Sequence, residues 1–323
     1  MEVDYIFLNL LLISTLFILN KLISNIVKIS DFPEKRKSQK QPIPLIGGFI
    51  IYLIVLFNFL YFKNVNEKIF YLSSIFFIVG LLDDKYKLSP NIRLVILSIC
   101  TIIFLYKFPY FNINFLHFEN FGKIYFYSQT TLIFTVLCLL LFQNSMNMID
   151  GINGLSGSIF LILFFFILIR SGFEPIYLTI IFSLLIFLIF NLKNKFFMGD
   201  SGIYFLSIFF GLNIITISNN DIIYTEEIFL IMMIPGIDML RLFIIRIKNK
   251  KNPFKPDRLH IHHLVESQTK SKTKTVFVIL SIIYIPILLM IFANINTNFL
   301  ILSSILLYSL VIFKTGGLSS IKK

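Results

Sequence analysis

Long apolar runs alternate with short polar stretches along almost the whole chain. The runs fall at roughly 5–27, 46–62, 69–82, 92–108, 131–148, 157–170, 176–191, 201–218, 227–245, 275–293 and 298–314. About 20 apolar residues in helical form cross a hydrocarbon core of about 30 Å, and somewhat shorter runs do so with local thinning. The pattern therefore predicts an all-α polytopic membrane protein with about 11 transmembrane helices. It is expected to form one integral membrane unit over residues 1–323, without internal repeats or a separating linker. One polar stretch breaks the rule. Residues 109–128 alternate in polarity around Gly122, which predicts a small β-hairpin, with His117 on it as a structural bystander.

Lys and Arg fix the orientation, because they gather in cytoplasmic loops. With the N-terminus outside, the inner loops hold Lys28, Lys35, Arg36, Lys37, Lys40, Lys85, Lys87, Lys193, Lys195, the cluster from Arg246 to Lys274 and the C-terminal lysines, 21 basic residues in all. The outer loops hold four: Lys63, Lys68, Lys123 and Arg170. The formal charge of +12 is thus a topology charge and implies no nucleic-acid partner. Hydrophobic residues make up 57% of the chain, so most of its apolar surface is expected to face the lipid bilayer. With 39 Phe and no Trp, an interfacial aromatic belt has to be built from Tyr. Glu2 and Asp4 sit where a signal peptide would be positive, so the first run is expected to remain as a helix. Cys100 and Cys138 lie inside apolar runs and read as packed thiols.

The inner loops carry the chemistry. Asp83 and Asp84 follow the third run, Asn144, Asn147, Asp150 and Asn153 surround the end of the fifth, and Asp200 opens the eighth. All are brought to one membrane face by the topology. A carboxylate at a helix centre costs about 2.5–3.5 kcal/mol on insertion scales, less at a helix end. Four aspartates with no local positive partner repel one another and call for a cation. Oxygen-only ligands point to Mg²⁺ or Mn²⁺. The competing reading is a set of separate helix caps, with Asp200 capping its own helix. Asn144 and Asn147 are one turn apart and share a helix face, while Gly151 and Gly154 permit close backbone approach to a ligand.

Three of the four histidines, His260, His262 and His263, fall within four positions beside Arg258. Zinc is disfavoured there, since the flanking Lys and Arg repel a cation and no thiol is near. Imidazoles with an arginine suit a diphosphate or a sugar better.

These residues together resemble the polyprenyl-phosphate N-acetylhexosamine-1-phosphate transferase family. The matching pieces run in order: Asp31 to Lys37 leading to Pro42-Ile-Pro44-Leu-Ile-Gly47-Gly48; Gly80 to Asp84 with Leu88-Ser-Pro; Asn144 to Leu155; Phe197-Met-Gly-Asp200-Ser-Gly202; Pro235-Gly-Ile-Asp238-Met-Leu-Arg241; and Pro253 to His263. The resemblance implies catalytic roles for Asp83, Asp84, Asp150 and Asp200. It makes Asp200 and Asn147 ligands of a Mg²⁺ or Mn²⁺ cofactor. It places Arg93, Asn144, Gly151, Asn153, Arg258, His260, His262 and His263 against substrate. Two positions depart from the pattern: Lys87 stands where a third acid is common, and Asn153 where many bacterial relatives have aspartate. An amide can still pair with a uracil edge, so the second change bears on fine specificity.

The implied reaction is phosphoryl transfer. Undecaprenyl phosphate attacks the β-phosphorus of a UDP-N-acetylhexosamine and UMP leaves, which initiates a lipid-linked surface polysaccharide such as O-antigen lipopolysaccharide or a teichoic acid of the cell wall. The expected setting is the bacterial inner membrane, with the site on the cytoplasmic side. A phosphate monoester is mostly dianionic at neutral pH, so a dedicated base matters less than a metal ligand. Phospho-MurNAc-pentapeptide translocase fits less well, because His-Ile-His-His replaces its three consecutive histidines. The rival from another class is a transporter or flippase of lipid-linked sugars, for which Asp238 is the best-buried charge. Monomer and homodimer both stay open.

Overall fold

The computed structural model of the protein describes residues 2–33, 41–250 and 259–316. Every apolar run folds as helix. The helices are α1 (Glu2–Ile18), α2 (Asn20–Val27), α3 (Gly47–Phe57), α4 (Glu67–Tyr86), α5 (Pro90–Lys107), α6 (Ser128–Ile149) and α7 (Leu155–Arg170). They continue with α8 (Pro175–Leu192), α9 (Gly199–Asn219), α10 (Thr225–Lys248), α11 (Ile261–Thr269), α12 (Lys272–Ala293) and α13 (Thr297–Lys314). Among the described residues, α5, α6, α8, α9, α10, α12 and α13 are each long and apolar enough to cross a membrane. The protein is a multi-pass, all-α membrane protein.

The first run differs from expectation. It is not one helix over 5–27: α2 turns away from α1 by 63°. Asn20 sits at the break and its amide donates to the carbonyl of Phe17 at 2.7 Å, a side-chain bond that competes with helix continuation. The predicted hairpin is present as β1 (Phe115–Phe118) and β2 (Gly122–Tyr125), antiparallel with Leu116 opposite Ile124. His117 is not idle on it. Its ring and Lys123 both meet Asp221, at 3.2 and 2.5 Å, which pins the hairpin to the α9–α10 turn. Exposed Tyr106, Tyr110, Tyr125 and Tyr127 surround this end of the bundle, as a tyrosine belt would.

Helix α9 is the axis, with 94% of its most apolar window buried by protein. It packs on α3, α4, α6 and α7. In lipid, burying an apolar side chain against protein gains little over burying it in acyl chains, so association depends on close fit and on polar bonds. At Gly80 of α4, an added Cβ would lie 2.5 Å from Ser201 Cα, so the two backbones nearly touch. Toward the hairpin end, Tyr5 donates to Asn58 Oδ1 at 2.8 Å and Asn58 donates to Asn9 Oδ1 at 2.7 Å, which ties α1 to the helical turn that follows α3.

Candidate active site

The site forms at the opposite end from the hairpin, where the turns α4–α5, α6–α7, α8–α9 and the segment before α11 meet. The start of α9 is held from two sides. Residues 44–48 pair with the strand-like approach to it: Phe197 N–H donates to Pro44 O, Gly47 N–H to Phe197 O and Gly48 N–H to Met198 O, each at 2.9 Å. Gly199 then takes φ +78°, a region that disfavours any side chain, and a Cβ there would lie 2.7 Å from Asp84 Oδ2. That close approach has a purpose. Asp84 accepts from the backbone N–H of Asp200 at 2.8 Å and of Ser201 at 3.0 Å. Asp200 therefore does not cap its own helix. Asp84 caps α9 from α4, pairing a carboxylate with the positive end of the helix dipole.

Asp83 also has a partner, contrary to the expectation of carboxylates lacking a local cation. Arg93 donates to Asp83 Oδ2 at 2.6 Å and the Tyr204 hydroxyl donates to the same oxygen at 2.9 Å. The reason is local. Ser89 caps α5 and Pro90 starts it, so Arg93 lies one turn in, facing the end of α4. The Arg93 side chain is 22% exposed while Asp83 is 3%, so the guanidinium is the half of the pair that meets solvent. Asp200 is left partly exposed in the first turn of α9, and Asn144 and Asn147 are partly exposed on α6, which packs against α9.

The α6–α7 turn is locked from beneath. Asn191, buried at the end of α8, accepts from Gly154 N–H at 2.7 Å and donates to Phe196 O at 3.2 Å. Asn153 spends both amide hydrogens on Asn191 O at 3.0 Å and Asn194 Oδ1 at 2.7 Å, so its oxygen is left as an acceptor. Ser156 donates to Asp150 Oδ1 at 2.5 Å. Asp150 is exposed as a residue, yet the protein around its carboxyl desolvates it and pushes it up to about 6.

Gly151 is where the histidines arrive. A Cβ on Gly151 would lie 2.1 Å from His262 Nε2, so only glycine admits that ring. His262 is 1% exposed, stacks on His260 with centroids 5.5 Å apart, and tilts against His263 at 4.2 Å. Its Nδ1 is buried without a partner among the described residues. Burial, then repulsion from His263 and His260, pushes its pKa down to about 3, so it is neutral. In this conformation His262 does not present a charged ring to a ligand, and His263 is the more accessible of the two. Arg258 lies outside the described residues. Asp238 is buried in α10 and bonded to Arg241, His260 and Tyr308, so its charge is answered locally and does not line an empty midplane site.

Among the described residues, no group of three or more His, Cys, Asp or Glu side chains is arranged to hold a metal ion. Mg²⁺ asks for less: it keeps several waters and takes one or two protein carboxylates with substrate phosphates. Asp83 and Asp84 are engaged by Arg93 and by the α9 amides. Asp200 and Asn147 supply oxygen donors of the kind Mg²⁺ or Mn²⁺ prefers, and the donor set fits. Sequence reasoning missed Tyr204, Asn191 and Ser156. Tyr204 carried a signal, since it lies one turn after Asp200 on the same helix face. Asn191 was a lone amide in an apolar run.

Comparison with known proteins agrees with this arrangement. Residues 67–218, which include both aspartate motifs and the α6–α7 turn, match glycosyl transferase family 4. The undecaprenyl-phosphate alpha-N-acetylglucosaminyl 1-phosphate transferase of Thermotoga maritima is 30% identical over 270 residues, covering 82% of this chain and 83% of its own. The probable undecaprenyl-phosphate N-acetylglucosaminyl 1-phosphate transferase of Bacillus subtilis is 30% identical over 290 residues, covering 82% and 78%. The Escherichia coli enzyme of the first name is 27% identical over 284 residues, covering 80% and 75%. With the helical bundle, the paired aspartates and the turn beneath the histidines all in place, the chain belongs to glycosyl transferase family 4.

Proposed function

We propose that the protein transfers an N-acetylhexosamine 1-phosphate, with GlcNAc-1-phosphate first among the candidates, from a UDP-sugar to undecaprenyl phosphate. A lipid phosphate oxygen bonds to the β-phosphorus, the bond from that phosphorus to the bridging oxygen breaks, and UMP leaves with the electron pair. The observation that carries the reading is the meeting, at one end of the bundle, of Asp83 with Arg93, Asp84 with the start of α9, and Gly151 with His262.

Each group has a task in this reading. Arg93, oriented by Asp83, offers its exposed edge to the lipid phosphate as it approaches along the membrane face. Asp83 is a poor general base, because Arg93 and Tyr204 share its Oδ2. None is needed for a dianionic phosphate. Asp84 holds the first turn of α9, and so the position of Asp200. Asp200 and Asn147 would hold Mg²⁺, which when bound screens charge on the diphosphate. The α6–α7 turn, with the Asn153 oxygen and the Gly151 backbone, receives the uracil, and the histidine segment with Arg258 closes over the diphosphate and sugar.

The test is a transfer assay with purified protein, undecaprenyl phosphate and a panel of UDP-N-acetylhexosamines, following UMP. Release should require both the lipid and Mg²⁺; no release with any donor overturns the reading. The membrane orientation is tested separately. We place the site on the cytoplasmic side of the inner membrane, with the N-terminus outside, on the strength of the 21 inner basic residues against four outer ones. Single cysteines at Lys87 and Lys195 should label only from the cytoplasm, and at Asn66 and Asn219 only from outside. The opposite pattern would remove the site from any cytoplasmic nucleotide.

A further inference from the structure

We infer that Asp238 is a positioning residue, which from inside α10 fixes the start of α11 and thereby sets the histidines over the Asp150–Asn153 turn. The inference rests on the proposed function, in which those histidines close over the donor. The segment Pro235 to Arg241 stands out in the sequence, yet none of its side chains reaches the paired aspartates or the α6–α7 turn. The structure supplies a use for it.

Asp238 is 2% exposed and its two oxygens are crowded with donors. Oδ1 accepts from Arg241 at 2.8 Å, from the Tyr308 hydroxyl at 2.9 Å and from Ile261 N–H at 3.2 Å. Oδ2 accepts from His260 Nδ1 at 3.2 Å and shares Ile261 N–H at 3.3 Å. Arg241, one turn on, donates to Leu259 O at 2.6 Å and to the Tyr308 hydroxyl at 2.9 Å. The pair thus grips the carbonyl before His260 and the amide after it. A carboxylate whose only task were to neutralise Arg241 would have no need of a backbone amide from a segment 23 residues away.

The bond to Nδ1 also fixes the ring. With Nδ1–H donated to Asp238, His260 presents Nε2 toward Arg246, 3.5 Å away, and its face to His262. His262 in turn touches Gly151. A chain of direct contacts therefore runs from α13 through Tyr308, Asp238, His260 and His262 to the turn that we assign to the nucleotide. Loosening its first link displaces the last.

The test is hydrogen–deuterium exchange on full-length protein in detergent, with transfer kinetics on the same preparations. In Asp238→Asn, the amides of Ile261–Thr269 should exchange faster while α10, α12 and α13 keep their protection. Turnover should fall about 10²-fold, the size expected when a catalytic group shifts by about 1 Å, with the Mg²⁺ requirement unchanged. Tyr308→Phe removes one donor and leaves the carboxylate. It should show the same local pattern more weakly, and it decides the matter if Asp238→Asn does not fold. Unchanged exchange over α11 in the folded variants, loosened α11 with full turnover, or exchange rising through the whole bundle each overturns the proposal. The exchange arm needs no donor, so its failure is separable from the wild-type protein's failure to use any UDP-sugar.

Discussion

Asp84 and Asp238 do the same thing on unequal foundations. Each reaches from one helix to accept backbone amides at the start of another: Asp84 those of Asp200 and Ser201, Asp238 that of Ile261. The helix that Asp84 caps has 21 residues and forms the buried axis of the bundle. The helix that Asp238 caps has nine, below the ~12–15 at which an isolated helix becomes marginal. A hydrogen bond to a charged group contributes about 1.5–3 kcal/mol. For α9 that is a small addition to extensive packing. For α11, whose buried face is Ile261, His262 and Val265, it is a larger share of what holds the element down. The aspartate half of the site is therefore built to stay, and the histidine half to depend on a few polar bonds.

The largest effect belongs to the fixed half. Asp200→Asn should lower kcat by at least 10²–10³-fold, the usual loss for one electrostatic stabiliser, and should leave thermal stability near wild type. The substitution keeps shape and removes charge on a partly exposed side chain, so little packing is lost. Near-normal turnover in saturating Mg²⁺ would break the assignment.

Asp84 sharpens the contrast, because cap and base predict different things. If it caps α9, Asp84→Ala leaves two buried N–H groups unanswered, while Asp84→Asn still offers one oxygen. The alanine variant should melt lower by the equivalent of about 1–3 kcal/mol and the asparagine variant by less, with activity following the same order. A base would make both equally inactive at unchanged melting temperature. Thermal melts in detergent beside UMP release separate the two.

How much of this was legible beforehand differs between the halves for a physical reason. Periodic hydrophobicity reports on each segment's own surroundings, so the helices and the hairpin could be read directly. That Asp83, Asp150, Asp200 and the histidines share one end could be read too, because topology alone sends them there. Their partners could not. Asp84 meets Ser201 across 117 positions, and Asp238 meets Tyr308 across 70. Nothing in local spacing encodes such contacts. Arg93 is only ten residues from Asp83, yet seeing the pair requires the angle between α4 and α5. That is why the aspartates looked like unpaired charges awaiting a cation, when two of the four already have answers in protein.

A smaller effect is expected at Asn153, the position that departs from relatives with aspartate. Both amide hydrogens of Asn153 tie the turn to the end of α8. A carboxylate there would face the Asn191 carbonyl and the Asn194 side-chain oxygen with no hydrogen to offer. Asn153→Asp should therefore raise KM for the UDP-sugar about tenfold, corresponding to about 1.4 kcal/mol. Double substitution with Asn194→Lys should recover part of the loss, and a gain in affinity from the single change would show that the oxygen, not the tie, matters.

The smallest effect tests the dependent half by pH alone. His262 is buried, with His260, His263 and Asp238 as its electrostatic neighbours, and burial keeps it neutral down to about pH 3. Released into water, an imidazole titrates near 6.5. Between those values the opened segment binds a proton that the closed segment refuses. The stabilising contribution is therefore complete above about pH 6.5 and is lost progressively as pH falls toward 3, at up to tenfold in the opening equilibrium per unit. Asp150 acts in the opposite sense if it is uncovered at the same time. Its carboxyl is raised to about 6, so the closed state holds its proton more tightly, and that contribution is lost as pH rises through 6. Above about pH 7.5 both groups have finished titrating and the protection of Ile261–Thr269, corrected for intrinsic exchange, should be flat. Between 6.5 and 5.5 it should fall, by less than tenfold because Asp150 opposes it. His262→Gln should abolish the fall and expose the weaker opposite slope of Asp150. His262→Gln should leave the pH dependence of helix α9, which starts on Asp84, unchanged. An equal change in the two helices would mean that the histidine half is as firmly built as the aspartate half, and the contrast between them would be lost.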